Sequence, residues 1–206
     1  MGNKKYTLDN NTVASNPGKI IFKQSQWLKY NFKFSLIMAF LFFLSIYLSV
    51  KYSKFFFIMM VIIVIILEHY WLKLKEHYTA DSNAGLVIST NPNLVAVSTN
   101  LTKSDDGNFP VIKVIKYKVR KNVKFGDKIA TVSTYKRDLD DTLDHWVDFF
   151  PLPVNYATND INEINNEINS YPKEQWDNLE KGLMEIEKPY KEGLYKVETK
   201  TSDWNC

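Results

Sequence analysis

Two long apolar blocks that lie four residues apart constrain this chain more than any other feature. Residues 34–50 and 55–67 contain no charged side chain, and apolar character continues to Leu72. A helix needs roughly 17–25 residues to cross the hydrocarbon core of a bilayer, so each block is long enough. The link Lys51-Tyr52-Ser53-Lys54 is so short that the two helices must run antiparallel. The sequence therefore predicts a two-helix transmembrane hairpin over residues 34–72, which excludes a simple soluble globule.

Lysines near the helix ends predict how the hairpin is oriented. Two lie in the turn, and six flank the outer ends: Lys19, Lys23, Lys29, Lys33, Lys73 and Lys75. Cytoplasmic segments next to membrane helices carry the excess of Lys and Arg, so we expect a two-pass protein with both termini in the cytoplasm. The polar leader of 33 residues is too long for a secretory signal peptide.

The net charge of +3 conceals a polarised chain. Residues 1–33 carry six lysines against Asp9, a net charge of +5, whereas residues 138–206 carry six basic and sixteen acidic side chains, a net charge of −10. We therefore divide the chain into a polar basic segment (1–33), the hairpin, a soluble α+β domain (79–189) and a polar tail (190–206). A single cysteine excludes an internal disulfide framework.

One face of the first predicted helix is lined by small side chains. At about 100° per residue, four of them fall within one sector of about 120°: Ser35, Ala39, Ser45 and Ser49. Small residues allow helices to approach closely in a bilayer. Two interpretations stay open: the face seats the second helix of the same hairpin, or it contacts another subunit in a homo-oligomer.

Residue patterns after the hairpin predict strands followed by helices. Short runs rich in Val, Ile and Leu, separated by turn residues, predict strands over residues 86–89, 94–101, 111–119 and 129–135. A cap at Thr158-Asn159-Asp160 precedes isoleucines at helical spacing, and a second helix should run from about Pro172 to Pro189. The predicted fold is a small antiparallel sheet or partly open barrel followed by two or three helices.

Three segments are expected to be irregular. Residues 81–85 contain Asp, Ser, Asn and Gly, which predict a break before the first strand. Residues 149–153 hold two prolines, which disfavour a regular element. The polar tail should be loosely held.

An acidic cluster is the strongest candidate for chemistry. If residues 138–148 are helical, four side chains lie on one face: Asp141, Asp144, His145 and Asp148. Carboxylates with an imidazole can bind a divalent metal that activates water, so a metal-dependent enzyme is one hypothesis. The sequence has no calcium-loop glycine and no second histidine nearby. The interpretation without a functional role, a solvated acidic face, is therefore favoured. We predict no catalytic residue, metal or cofactor.

A basic stripe begins on the third predicted strand. It consists of Lys116, Lys118, Arg120, Lys121 and Lys124, with Lys128 beyond them. Lysines can protect a sheet edge from pairing, and basic residues near a membrane are attracted to anionic headgroups by about 1 kcal/mol each. The stripe therefore predicts a solvated strand face, a contact with lipid or a partner, or salt bridges to the acidic half of the chain. Nucleic-acid binding is not expected, because aromatic residues do not alternate with the basic ones.

Aromatic residues next to His, Asp and Pro mark a corner in the chain. The corner consists of His145, Trp146, Phe149 and Pro151. If the corner is buried, it packs the strands against the helices. If it is exposed, it forms a protein-binding patch. The buried interpretation is favoured.

Short motifs in the soluble region carry a resemblance to a known family. They are Gly126-Asp127 before a strand, His145-Trp146-x-Asp148-Phe149-x-Pro151, and a helix that begins Pro172-x-x-x-Trp176. Together, over roughly residues 85–183, they resemble an uncharacterised bacterial family known only as a domain of unknown function. The resemblance implies N-terminal membrane helices, a C-terminal soluble domain and a place in a bacterial inner membrane. It implies no activity.

The leading hypothesis is a membrane-anchored, non-enzymatic protein whose cytoplasmic α+β domain docks a protein partner or complex. An immunity or defence protein would be one such case. The alternatives are a module that senses anionic lipids and a metal-dependent enzyme that uses residues 141–148.

Overall fold

The computed structural model describes residues 20–103, 108–118, 123–140 and 142–198. It begins with three helices: α1 (Gln24–Tyr30), α2 (Phe32–Lys51) and α3 (Phe56–His77). The last two form the predicted antiparallel hairpin. Each is long and apolar enough to cross a bilayer.

The hairpin helices pack along one stripe each and expose the rest of their surfaces. The half-buried side chains of α3 recur at alternating spacings of four and three residues, as in a coiled coil: Phe56, Met60, Ile63, Leu67 and Tyr70. The outward side chains are large and apolar, such as Phe43, which is 67% exposed, and Ile65. Water disfavours such a surface, whereas lipid tails match it. The hairpin is therefore suited to a lipid environment.

After the hairpin the chain forms one antiparallel sheet with helices against it. The strands are β1 (Asp81–Thr90), β2 (Asn93–Asn100), β3 (Pro110–Lys116), β4 (Lys128–Lys136), β5 (Asp148–Pro153) and β6 (Gly193–Lys196), in the order β5-β4-β1-β2-β3-β6. Between β5 and β6 lie a 3-10 turn (Val154–Tyr156), α4 (Ile161–Ser170) and α5 (Lys173–Met184). The predicted fold class, a membrane hairpin plus an α+β domain, is confirmed.

The sheet curls into a half-barrel. β3 and β5 are separated by three strands in the sheet order, yet Lys113 of β3 donates hydrogen bonds to Asp148 and to the Phe149 carbonyl of β5. α5 packs on the convex face, where a Cβ on Gly182 would lie 2.7 Å from Cδ1 of Ile112. β2 and β4 are buried along almost their whole length, because the curled sheet covers one face and the helices cover the other.

The three predictions of irregular segments are wrong, because each segment contains part of a strand. β1 begins at Asp81 instead of after a break over residues 81–85. Its first residues pair antiparallel with β4, with Asp81 opposite Ser133. Residues 149–153 belong to a regular strand, β5, which tolerates prolines because it lies at the edge of the sheet. The tail from residue 190 is not loosely held throughout, since β6 pairs with β3.

The acidic segment 138–148 is not a helix in its described part. It consists of turns and one isolated bridge between His145 and Thr102. Its backbone bonds to the loop after β2 instead of to itself: the Asp144 carbonyl accepts from the Lys103 N–H, and the Trp146 N–H donates to Leu101. These bonds take the place of helical i to i−4 bonds.

The two C-terminal helices form as predicted. The side chain of Asp160 caps α4 by accepting hydrogen bonds from the backbone N–H groups of Asn162 and Glu163. α5 buries Trp176, Leu179 and Leu183. It ends at Met184, before the predicted stop at Pro189.

The segment before the hairpin also has structure, which the prediction of a polar segment over residues 1–33 missed. α1 buries Trp27, and the Lys23 N–H donates to the Ala157 carbonyl at 2.8 Å. Residues 20–30 therefore pack with the soluble domain, on the same side of the hairpin.

Candidate functional site

The small-residue face of α2 is divided by the structure. Ser45 is buried in the hairpin and its hydroxyl donates to the Phe42 carbonyl at 2.7 Å. Ser35 and Ser49 are half-buried, whereas Ala39 is exposed. Most of this face therefore seats α3.

An aromatic cluster, which we name the hairpin root, joins the hairpin to the soluble domain. Its members are Phe22, Trp27, Tyr30, Trp71, Tyr78, Tyr117 and Tyr156. The ring of Tyr156 lies 4.6 Å from that of Tyr30 and stacks on Tyr117 at 5.7 Å, while Phe22 stacks on Tyr78 at 5.4 Å. Rings from the N-terminal segment, the end of α3 and the half-barrel thus form one packed unit. Because these contacts are mutual, the domain is seated on the hairpin instead of hanging from a linker.

Three tyrosine hydroxyls at the hairpin root, those of Tyr78, Tyr117 and Tyr156, form hydrogen bonds, whereas the buried Trp27 Nε1 has no partner among the described residues. The Tyr78 hydroxyl donates to the Pro153 carbonyl at 3.1 Å, and the Tyr156 hydroxyl accepts from the Lys118 N–H at 2.6 Å. Burial raises the pKa of Tyr117 to about 12, although a hydrogen bond from Asn155 opposes the shift. Burial also raises the pKa of Tyr78 and Tyr156. The root tyrosines therefore stay neutral at physiological pH.

The basic stripe does not act as one surface. Lys116 pairs with Glu192, with 2.5 Å between Nζ and Oε1, and the Lys124 N–H donates to Asp127 in an exposed turn. Lys118 reaches the hairpin root, where Nζ donates to Asn31 Oδ1 at 2.8 Å. Arg120 and Lys121 lie outside the described residues.

The acidic cluster is not brought together on one face. Asp144 Oδ1 lies 2.8 Å from His145 Nδ1, and this hydrogen bond lowers the pKa of the exposed Asp144 carboxyl. Asp148 binds Lys113 instead, and Asp141 lies outside the described residues. Among the residues that the structure describes, no group of three His, Cys, Asp or Glu side chains could hold a metal ion.

The corner residues close the half-barrel. Trp146 and Phe149 are buried, and their rings lie 6.0 and 6.3 Å from that of Tyr135 on β4. Pro151 is buried in β5, and His145 stacks on Phe109 at 3.9 Å. The corner rings thus pack against Tyr135 of β4 and against Phe109, which precedes β3.

Lys113 links the two sides of the half-barrel opening. Its ammonium lies 2.8 and 2.9 Å from the two carboxylate oxygens of Asp148 and 4.6 Å from the Phe150 ring centre. The side chains of Lys113 and Asp148 are only 16% and 29% exposed. The sequence carries a signal for this residue, because Lys113 alternates with Val111 and Ile115 on the apolar side of β3.

A chain of hydrogen bonds lies buried on the concave face. The Tyr135 hydroxyl donates to Asp81 Oδ2 at 2.9 Å and lies 2.9 Å from Thr99 Oγ1, which accepts from Asn83 Nδ2. Burial and the Asp81 carboxylate raise the pKa of Tyr135 well above its usual range. These groups hold β1, β2 and β4 together.

The loops at the far ends of the strands form a second surface, which we name the distal rim. It comprises residues 101–103, 108–109, 137–140 and 142–147. Phe109 precedes β3 and Tyr117 follows it, so the rim and the hairpin root lie roughly 25 Å apart along that strand. Leu139 is 99% exposed there, and Leu143 is also exposed. Asp138, Asp140 and Asp144 flank these leucines.

The hairpin root is the feature that sequence reasoning missed. Its N-terminal signal is present in the spacing of Trp27, Tyr30 and Phe34, three and four residues apart as on one helix face. The partners Tyr117 and Tyr156 lie more than eighty residues away, and no local pattern connects them.

Comparison with known proteins identifies the soluble domain. A family model described as "Protein of unknown function (DUF3239)" matches residues 73–187, which is more than half of the chain and includes all the motifs on which the resemblance rests. The crystal structure of an inferred membrane protein from Corynebacterium diphtheriae is similar over 57% of this chain and 100% of that chain, with 20% identity and a TM-score of 0.49. No curated protein matches the chain.

Proposed function

The chain belongs to the family of proteins of unknown function DUF3239, and from that premise we propose that it is a membrane-anchored, non-enzymatic docking protein. Its hairpin holds it in a bacterial inner membrane with both termini in the cytoplasm. Its α+β domain presents the distal rim to a protein partner or complex.

The exposed leucines of the rim carry this proposal. Leu139 is 99% exposed on a loop that the domain does not cover. Exposed apolar patches rimmed by polar residues mark contact sites, and Leu139 and Leu143 are exposed in one loop among aspartates. The hairpin root fixes the opposite end of the domain, so the rim is presented at a set distance from the membrane.

Charge indicates the chemistry of the partner. The rim leucines lie among Asp138, Asp140 and Asp144, and Asp144 is almost fully exposed, whereas the rim cations Lys103 and Arg137 lie over the Trp146 ring. Complementary charge steers association and excludes wrong partners. The expected partner surface therefore combines apolar residues with lysine or arginine, and an immunity or defence partner is one class that would satisfy this description.

The metal-dependent alternative loses its geometric premise. It required a helix over residues 138–148 with four ligands on one face, and the described part of that segment is irregular. Asp148 is engaged by Lys113 on the other side of the half-barrel opening.

Site-specific crosslinking tests the docking proposal. A photoreactive amino acid replaces Leu139 in the full-length protein, expressed in its own membrane, and a matched variant carries it at Met184, an exposed apolar position on α5. A discrete adduct from position 139 that is absent from position 184 is expected, and Leu143→Asp should abolish it. An adduct of twice the chain mass would identify the partner as a second copy. Equal, diffuse labelling from both positions would refute docking at the rim.

Orientation has its own test. Protease added to the outside of right-side-out spheroplasts should leave the soluble domain intact, because it faces the cytoplasm. Digestion of the domain without permeabilisation would place it on the other side.

A further inference from the structure

Lysines from separate parts of the chain meet at the base of the hairpin. Asn31 joins α1 to α2 and lies between Lys29 and Lys33 in the chain. The ammonium of Lys118, which follows β3, donates to Asn31 Oδ1 at 2.8 Å and lies 3.5 Å from the Tyr30 carbonyl. The fold thus brings Lys118 to a pair of lysines almost ninety residues earlier, and all three side chains are exposed.

The Lys118 ammonium is held in position by the hairpin root. Asn31 Nδ2 lies 3.3 Å from the Trp27 carbonyl, to which it donates, so the amide that accepts from Lys118 is itself oriented. The backbone N–H of Lys118 is bound to the Tyr156 hydroxyl. An ammonium has three N–H donors, and Asn31 and the Tyr30 carbonyl accept from two of them. One donor is available for a further acceptor.

These lysines lie at the depth of lipid headgroups. The rings of Phe34 and Tyr70 are 5.1 Å apart, so the start of α2 is level with the last third of α3. Tyr and Trp are enriched at this depth, and Tyr70 and Trp71 are stacked edge to face there. Lys33 is the residue before Phe34, so it enters the same layer.

Their charge is not neutralised within the described part of the chain. Among the described residues near the hairpin base there is one ion pair, a long contact of 4.0 Å between Lys73 and Glu76. None of Lys29, Lys33 and Lys118 has an acidic partner in the ranges 20–103, 108–118, 123–140 and 142–198. In contrast, Lys116 is paired with Glu192.

We propose that Lys29, Lys33 and Lys118 form a binding site for the phosphate headgroup of an anionic phospholipid. A lipid is the source of the phosphate, because Lys29, Lys33 and the contact between Lys118 and Asn31 all lie at the end of α2 where the helix enters the bilayer. Basic residues at this depth attract anionic lipids. This site is independent of docking at the distal rim, at the opposite ends of the strands.

Lipid selectivity of the full-length protein tests the site. The protein is reconstituted in phosphatidylcholine bilayers, and spin-labelled phosphatidylglycerol or phosphatidylcholine reports the lipids immobilised at its surface. The variant K29Q/K33Q/K118Q should lower the preference for phosphatidylglycerol at least about fivefold, the effect of removing one basic residue at headgroup depth. The charge-retaining variant K29R/K33R/K118R should keep most of the preference.

A matched variant distinguishes a specific binding site from an effect of the protein's net charge. K103Q/K136Q/K196Q removes the same charge from residues on or beside the distal rim and should leave the preference unchanged. An equal loss in both glutamine variants, or no loss in K29Q/K33Q/K118Q, would overturn the proposal. Inorganic phosphate at millimolar concentration should not compete. If it abolishes the preference, the site binds free phosphate and not a lipid.

Discussion

The hairpin root and the distal rim are both rich in aromatic residues, but their rings have different neighbours. At the root, Tyr156 contacts the rings of Trp27, Tyr30 and Tyr117. At the rim, Phe109 and Trp146 also contact the rings of His145 and Tyr135, but cations lie over them as well. Lys103 is 5.4 Å from the Trp146 centre, and Lys196 is 4.6 Å from that of Phe109.

This difference shows how the two ends of one domain serve different purposes. Ring-on-ring packing removes apolar surface from water and fixes the angle between domain and hairpin. Cation–ring contacts keep charged groups at the surface, where they stay hydrated. The root is therefore built for rigidity, and the rim keeps a polar surface next to exposed leucines.

The largest expected effect is the loss of the central root ring. Tyr156→Ala should lower the free energy of unfolding by about 3–5 kcal/mol, the cost of deleting a buried aromatic side chain. Phe109→Ala at the rim should cost roughly 1 kcal/mol, because that ring is half-exposed. Denaturant unfolding of the full-length protein in detergent measures both. Equal losses would contradict the distinction between root and rim.

The second-largest effect is expected at alkaline pH, where the hairpin root should contribute less to the free energy of unfolding. Tyr117 has a folded pKa of about 12, whereas in the unfolded chain it titrates near its usual value of about 10. The folded state therefore holds the proton longer, and stability should fall by about 2 kcal/mol as pH rises from about 10 to about 12. Unfolding midpoints across this range measure the loss, and Tyr117→Phe should reduce the slope. A slope unchanged in that variant would assign the effect elsewhere.

The ion pair across the half-barrel opening should have a smaller effect. In a double-mutant cycle, Lys113→Met and Asp148→Asn should show a coupling energy of about 1 kcal/mol, because both groups are largely buried. The exposed pair Lys116 and Glu192 serves as the control and should couple by less than about 0.5 kcal/mol. A coupling as weak as that of the control would mean that Lys113 does not hold the half-barrel together.

The smallest expected change in stability is at the rim leucine. Leu139→Asp should alter the free energy of unfolding by no more than about 0.5 kcal/mol, since the side chain makes no buried contact. A loss above about 1 kcal/mol would show that Leu139 packs against the domain and is not available to a partner.

The sequence predicts the parts of the fold that depend on local pattern. Charge-free blocks of helical length identify α2 and α3, and isoleucine spacing after Asp160 identifies α4. The errors occur where distant contacts decide. Pro151 and Pro153 lie in a strand because β5 is at the edge of the sheet. Residues 190–198 contain a strand because β6 pairs with the side of β3 that β2 leaves open.

The candidate sites also separate into features that local sequence predicts and features that distant contacts decide. The corner residues are recognisable from their types, but their packing on Tyr135 depends on how the sheet curls. The basic stripe is continuous in sequence, yet the fold pairs Lys116 with Glu192 and carries Lys118 to the hairpin base. Lys116, the last residue of β3, and Lys118, two residues later, thus have different contacts.

The sequence by itself determined that this chain is anchored by a two-helix hairpin, because helix length and the absence of charge are local properties that a bilayer selects. Through their periodicity it also predicted the strands β1 to β4 and, after them, the helices α4 and α5. The tertiary structure alone decided that the domain is seated on the hairpin, because that seat joins rings such as Trp27, Tyr117 and Tyr156, which meet only when the half-barrel closes. Local spacing encodes secondary structure, whereas such long-range contacts exist only in the folded chain.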